Sequence, residues 1–536
     1  MIRRGLLALS GAAVLAGVVF GLVALLTETP EERVAERFGS AWAAGDYGAM
    51  YELLTPASRE DIGPQAFEDA YLDAAATATA TAFDPGEARV EDEVVVLPVT
   101  ATTAVWGQVS GEVTMRLAGE RVGWAPDMVF PGLREGEELD RRTRAPERAA
   151  ILARDGTVLA EGEAGKRRSE LGFDAGTVTG TIAPPATGER ARSLYERGFD
   201  RYALTGTTGL ELVFEREVAG TPGGVLLAGD RELARSTPQP GPAVRTTIDP
   251  GVQAAAVGAL DPAGGIAVLD ARGGQVRALA GLALIGPQPP GSTFKIVTTT
   301  AALEAGTVKP STEFPVTTGA TIEGRTISNA DDAACGGSFS QSFARSCNSV
   351  FAPLGVEVGA EKLVETAERF GLNMPPAIPG AETSTIPPAD DIASDLELGA
   401  TAIGQGRLLV TPLRLASISQ TIAADGTLTE PRVAAGAPPE RRRVTSRRVA
   451  DTVEELMVGV TEPGATGDAA ALPGVEVAGK TGTAELGEDV TEHAWFTAFA
   501  PAGRRPELAI AVMIANGGSG GEVAAPVART VLQAGL

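Results

Sequence analysis

Apolar residues at Val34, Phe38, Trp42, Tyr47, Met50 and Leu53 recur at near-helical spacing, and the break at Gly45-Asp46 predicts two amphipathic helices between Pro30 and Leu54. A second helical patch is predicted over Pro64 to Ala75. From Ala76 to Val129 the period falls to two, with Glu93 to Val99, Val105 to Leu117 and Val122-Gly123-Trp124 reading as strands. Helices followed by an antiparallel meander predict a small α+β domain, in which Trp42 and Tyr47 serve the core. Phe130 to Leu133 closes that domain, and the charged stretch Arg134 to Arg148 reads as an exposed connector. Ala149 to Ala160 predicts a hairpin turning at Asp155-Gly156. Glu161 to Pro242 is rich in proline and glycine, with one helical patch at Glu189 to Gly198, and reads as an irregular pedestal.

From Val244 the pattern becomes denser. Thr246 to Asp249 leads into a helix, Gly264 to Leu269 and Gln275 to Leu282 predict a hairpin, and a turn at Pro289-Pro290-Gly291 opens an apolar segment carrying Ser292 and Lys295. Helices are predicted around Ser340 to Val358, Glu361 to Phe370 and Pro412 to Ala424. Val475 to Ala484, Ala494 to Ala500 and Glu507 to Ala515 read as strands, closed by a helix over Glu522 to Gln533. A sheet flanked by helices is the predicted architecture of this region.

The N-terminus sets an address. Arg3 and Arg4 precede an uncharged apolar run from Gly5 to Leu26, long enough to span a bilayer as a helix, and Glu28, Glu31 and Glu32 follow it. That asymmetry predicts a single-pass anchor with a cytoplasmic N-terminus and the bulk of the chain outside. A cleaved signal peptide is the weaker reading, because no small-x-small site closes the run. A net charge of -24 over 536 residues argues against nucleic-acid binding, which wants a basic face. In an oxidising exterior Cys335 and Cys347, the two cysteines, could pair across a short loop; two buried thiols are the other reading.

Candidate chemistry is narrow. His493 is the single histidine, so a serine-histidine-carboxylate triad has one conceivable base, and no cluster of metal-ligating residues is visible. On a helix Ser292 and Lys295 share a face, within reach of each other. The β-branched run Ile296 to Thr300 would also pass locally for a strand, which would send the two side chains to opposite faces. A serine needs a base to become a nucleophile, and Lys295 can be one only if burial or a nearby cation lowers its ordinary pKa of about 10.4. Lys480, another of the chain's five lysines, is the candidate cation.

Three motifs occur once each and in order: Ser292-Thr293-Phe294-Lys295, Ser346-Cys347-Asn348 and Lys480-Thr481-Gly482. Together they resemble the signature of penicillin-binding proteins and serine β-lactamases, with Cys347 standing where the usual middle motif has an aspartate. Residues 244–536 resemble the penicillin-binding transpeptidase domain, including Gly404-Gln405-Gly406 and His493-Ala494-Trp495-Phe496. Gly123 to Leu133 followed by Ile151 to Ala160 resembles the join between a nuclear-transport-factor-like extension and the pedestal in class B members of the low-affinity, resistance-associated kind. Arg148-Ala149-Ala150-Ile151 departs from the family's Arg-Gly-x-Ile pattern there.

The resemblance implies a multidomain protein: a membrane anchor (1–27), an α+β extension (28–138), a pedestal (139–243) and an α/β transpeptidase domain (244–536) with an antiparallel, serine β-lactamase-like sheet. It implies a peptidoglycan D,D-transpeptidase acylated at Ser292 by D-Ala-D-Ala stem peptides and by β-lactams, with no cofactor and no metal. Lys295 is then the base and Ser346 the proton shuttle. Asn348 holds the substrate amide, Lys480, Thr481, Gly482 and Thr483 line the binding strand, and the N–H groups of Ser292 and Thr483 form the oxyanion hole. No glycosyltransferase motif is apparent in 28–243, so a partner glycosyltransferase would supply the glycan strands. The rivals are a D,D-carboxypeptidase or β-lactamase-type hydrolase, and a β-lactam-binding sensor or scaffold. Anchor and accessory domains fit wall synthesis better than drug hydrolysis, and intact motifs count against an inert scaffold.

Overall fold

The structure, a computed structural model, describes residues 29–260, 263–485, 490–503 and 505–536. The apolar run Gly5 to Leu26 lies outside the described residues, among which no helix is long and apolar enough to cross a membrane. The chain forms two compact units. Among the described residues, one takes 29–148 with Pro184–Leu204 and Ala219–Gly241; the other takes Ala149–Ala183, Thr205–Val218 and the described residues from Pro242 on.

In the first unit the two predicted helices are Pro30–Ala43 and Tyr47–Glu52, the first opened by a capping box in which Thr29 and Glu32 exchange hydrogen bonds. A third helix, Pro64–Ala78, runs one turn further than its sequence pattern indicates, and a short helix at Pro56–Asp61 precedes it. Strands Ala80–Pro85, Arg89–Glu91, Val94–Thr103, Gly107–Leu117 and Val122–Gly123 make the antiparallel meander. Phe38, Trp42, Phe67 and Tyr71 are buried between helices and sheet, so Trp42 is a core residue, with Tyr47 stacked at the edge of Tyr71.

The connector reading of Arg134 to Arg148 does not hold. Leu139–Arg144 is a strand, paired antiparallel with Gly223–Ala228, which pairs in turn with Arg231–Ser236. Its charge misleads because Arg141 is buried: the guanidinium lies 3.7 Å from the Tyr195 ring centroid and donates to the carbonyls of Ala76, Thr77, Tyr195 and Phe199. Four carbonyl acceptors and an aromatic face replace the water that the cation loses.

The second unit is built on one five-stranded antiparallel sheet. The elements that form the sheet and carry the site are α1 (Pro250–Ala259), β1 (Gly264–Asp270), β2 (Val276–Gly281), α2 (Lys295–Ala305), α3 (Phe339–Ala344), α4 (Asn348–Val358), α5 (Pro412–Ala423), β3 (Ala478–Ala484), β4 (His493–Ala500), β5 (Leu508–Ile514) and α6 (Ala525–Gly535). Strand order is β2-β1-β5-β4-β3, so the N-terminal hairpin joins the three C-terminal strands and β3 is left at an edge. Every residue of β4 and β5 is buried, because both faces are covered. Ile510, Val512, Phe496 and Ala498 pack with Val252 and Ala256 of α1 and with Ala528, Val531 and Leu532 of α6. Ala509, Ala511, Met513, Trp495 and Phe499 face the opposite way, into the core that holds Leu413, Ala416 and Ile418 of α5. The predicted hairpin at Ile151–Leu152 and Val158–Ala160 is present in this unit.

Candidate active site

The Ser292 turn is held open by glycines. Gly291 takes φ +53°, and a Cβ on it would collide with the carbonyl oxygen of Thr483; Gly404, at φ +85°, lies so close that a Cβ would overlap Gly291 O. The backbones are tied there: Gly291 N–H donates to Gly404 O at 3.0 Å. Gly482 lets edge strand β3 approach from the other side, since a Cβ would sit 2.7 Å from Pro290 O. Gly404-Gln405-Gly406 and Lys480-Thr481-Gly482 therefore clamp the serine turn between them.

Residues Gly291–Phe294 form a single 3-10 turn that runs directly into α2, so the β-branched run Ile296 to Thr300 is helical. Tertiary burial decides this: all of Lys295 to Ala302 is buried, and the Thr300 hydroxyl donates back to the Ile296 carbonyl. Ser292 is half-buried, and its hydroxyl has no hydrogen-bond partner among the described residues. Lys295 is fully buried and points at the second motif. Its Nζ lies 2.8 Å from Ser346 O, 2.7 Å from Asn348 Oδ1 and 3.2 Å from Ser346 Oγ.

Ser346 sits between two lysines, because Lys480 Nζ is 2.9 Å from the same Oγ. Lys480 donates also to the Thr481 carbonyl. Burial lowers both amines: Lys480 falls from 10.5 to about 7, and Lys295 falls well below its ordinary value through burial and then through the charge of Lys480. Both amines donate to the Ser346 hydroxyl oxygen, which thereby links Lys295 to Lys480 in one hydrogen-bonded relay.

Local backbone sets up this relay. Ser346 is held at φ +60°, a conformation that costs a non-glycine residue on the order of 1–2 kcal/mol and turns both its carbonyl and its hydroxyl toward Lys295. Cys347 precedes α4 and is bonded to Cys335, the first residue of the short strand Cys335–Ser338, with the Cα atoms 5.4 Å apart. The disulfide reading of the two cysteines is the one the structure takes. Asn348 opens α4 and spends its amide on Ser328 O at 2.9 Å. Asn329, which no sequence signal marked, braces the same place: its Oδ1 accepts from Ser349 N–H and its Nδ2 donates to Thr317 O and Ala333 O.

Thr483 faces the serine turn with its backbone. Its carbonyl is directed at Gly291 and accepts from Gln405 Nε2 at 3.5 Å, and in an antiparallel strand the N–H and C=O of one residue point the same way. Its N–H thus points to the open edge beside Ser292, whose own N–H belongs to the first turn of a helix and lacks an intrahelical partner. His493 stands apart from this chemistry. Its Nδ1 accepts from Asn516 N–H at 3.0 Å, its Nε2 lies 3.3 Å from Gln288 Oε1, and burial lowers its pKa. A buried bracing histidine fits those contacts.

A serine on a tight turn, a buried low-pKa lysine one turn on, a hydroxyl bridging two amines and an edge strand presenting N–H groups are the parts that acyl transfer through a serine requires. Residues 264–533 match the penicillin-binding protein transpeptidase domain, and the chain belongs to that family. It is 39% identical over 282 residues to the peptidoglycan D,D-transpeptidase PbpA of Mycolicibacterium smegmatis, covering 46% of this chain and 55% of that protein. It is 32% identical over 198 residues to the peptidoglycan D,D-transpeptidase FtsI of Escherichia coli, covering 35% and 34%. The chain thus spans about half the length of the PbpA relatives it matches. In structure it resembles penicillin-binding protein A from M. tuberculosis in its ceftriaxone acyl-enzyme complex, with a TM-score of 0.61 and 27% identity over 73% of this chain and 98% of that one.

Proposed function

We propose that this chain is a membrane-anchored peptidoglycan D,D-transpeptidase that works through an acyl-enzyme at Ser292 and is acylated there by β-lactams. The observation that carries the reading is the Ser346 hydroxyl held between Lys295 Nζ and Lys480 Nζ, beside the Ser292 turn. Lys295, its amine held well below the ordinary lysine pKa by burial and by the charge of Lys480, takes the Ser292 proton as Oγ attacks the carbonyl of the penultimate D-alanine. The oxyanion that develops is met by the N–H groups of Ser292 and Thr483; losing one such donor typically costs roughly a hundredfold to a thousandfold in rate. The D-Ala-D-Ala amide then breaks, and the departing amine collects a proton through Ser346. A second amine, from a neighbouring stem peptide, attacks the ester, forms the cross-link and returns the proton to Ser292. Asn348 orients the substrate amide, while Lys480, Thr481 and Thr483 receive the terminal carboxylate.

The wider reading goes with it. Residues 1–27 anchor the chain with the catalytic part outside, 28–138 form a nuclear-transport-factor-like extension as in resistance-type members, and 139–243 form a pedestal. Helices followed by a five-stranded meander support the second of these, and the third rests on the proline- and glycine-rich sequence pattern of that stretch. A partner glycosyltransferase supplies the glycan; glycan polymerisation by the purified protein alone would remove that dependence. The transpeptidase reading is tested by fluorescent penicillin on the wild type, Ser292→Ala and Lys295→Ala. Slow-releasing label on the wild type and none on either variant is expected. Label that survives Ser292→Ala, or fast turnover of the adduct, would overturn it.

A further inference from the structure

We propose that Thr466 is a positioning residue for the acylation step, a hydroxyl strut that ties the carboxylate-binding strand to the segment carrying Ser346. This rests on the transpeptidase reading above and adds to it a residue outside the three motifs. Thr466 Oγ1 lies 3.1 Å from the carbonyl oxygen of Ala344 and 2.9 Å from Thr481 Oγ1. A hydroxyl has one proton, and that of Thr466 is committed to Ala344, whose carbonyl cannot donate. Thr466 can therefore only accept from Thr481. The chain of bonds runs in one direction: Thr481 hydroxyl to Thr466 hydroxyl to Ala344 carbonyl.

Each end of the chain is a part of the site. Thr481 follows Lys480 on β3, and Ala344 ends α3 two residues before Ser346, whose hydroxyl Lys480 touches. The strut thus closes a ring: Lys480 to Ser346 across the cleft, Ser346 back along the chain to Ala344, Ala344 through Thr466 to Thr481, and Thr481 back to Lys480. Ser346 has a left-handed backbone that needs its surroundings to hold it, and an ordered α3 end supplies one side of that hold. Thr466 is itself pinned from behind. A Cβ on Gly521 would collide with its carbonyl oxygen, and a Cβ on Gly467 would lie 3.0 Å from the Phe496 ring. With the backbone fixed, the hydroxyl has little freedom to follow a moving partner.

The test measures acylation by a chromogenic β-lactam in stopped flow, separating the acylation rate constant from the affinity of the preceding complex. The proteins are the wild type, Thr466→Val, Thr466→Ser, Ser346→Ala and the Thr466→Val/Ser346→Ala double variant. Losing one hydrogen bond to a positioned group is worth about fivefold to tenfold in rate. Thr466→Val is expected to lower the acylation rate constant by that factor with affinity within about twofold, and Thr466→Ser to restore it. On the Ser346→Ala background the valine is expected to add nothing, because both changes break one unit. A wild-type rate in Thr466→Val, equal loss in Thr466→Ser, or full additivity with Ser346→Ala would overturn the strut. Should Thr466→Val fail to fold, Thr466→Ala carries the same expectations. Any of these results leaves the transpeptidase reading standing, provided that the wild type is acylated and Ser292→Ala is not; acylated Ser292→Ala sinks that reading instead.

Discussion

Replacing Lys480 by methionine should stabilise the fold while destroying its chemistry. The amine is fully buried, and burial takes its pKa from 10.5 to about 7. At about 1.4 kcal/mol per unit, this shift means that an ammonium at this place costs on the order of 5 kcal/mol well below pH 7. The unfolded chain keeps that proton up to about pH 10.5, so between pH 7 and pH 10.5 the unfolded state binds more protons and stability rises with pH. Methionine has similar volume and no charge. It gives up the hydrogen bonds to Ser346 Oγ and Thr481 O, worth about 1 kcal/mol each. The net gain at pH 6 is about 2–3 kcal/mol, or roughly 5 °C in melting temperature. Calorimetric melting of wild type and Lys480→Met at pH 6, 7.5 and 9 checks this. The variant should melt higher at pH 6, the gap should close by pH 9, and penicillin labelling should be lost throughout. A variant that melts at or below the wild type at pH 6, or a gap that does not change with pH, would refute the assignment of Lys480 as a strained buried cation.

Other consequences are more local. Gly404→Ala places a methyl group against Gly291 O at a left-handed position, so it should either cost more than about 4 kcal/mol of stability or push the serine turn out of register and abolish labelling, read by melting and by fluorescent penicillin. His493→Asn should lower the melting temperature through the lost contacts to Asn516 and Gln288, yet leave labelling within a few-fold of wild type; loss of acylation in a folded variant would reinstate histidine as the base. Because burial depresses the His493 pKa, its contribution to stability is present above the ordinary histidine value and lost as pH falls through the folded one, and this acid-side loss should be absent from His493→Asn. Cys335→Ser/Cys347→Ser opens a loop of 12-residue separation and should cost about 3 kcal/mol, seen as a lower midpoint in urea.

The motifs were legible because each is short and sits where its element begins: Ser292 and Lys295 one turn apart, Lys480 in an apolar strand. The strands were legible too, since β4 and β5 are unbroken apolar runs. What joins them was not. Pairing of β1 with β5 closes a distance of more than two hundred residues, and no local pattern encodes it. Ile296 to Thr300 reads equally as strand or helix because β-branched residues lack a decisive period, and only packing on all sides settles it. The charge of Arg141 predicts exposure, yet its carbonyl acceptors come from residues 76, 77, 195 and 199, far from it in sequence. Thr466 is one threonine in a glycine-rich stretch, and its meaning comes wholly from what lies 3 Å away.

The claim beneath all of this is that Ser292 becomes the acyl-enzyme. Peptide mapping by mass spectrometry after exposure of the full-length protein to penicillin G locates the adduct directly. One penicilloyl group per chain is expected, on the peptide that contains Ser292, and none on Ser292→Ala. An adduct on any other residue, or an unmodified Ser292 peptide in a folded protein, would contradict it.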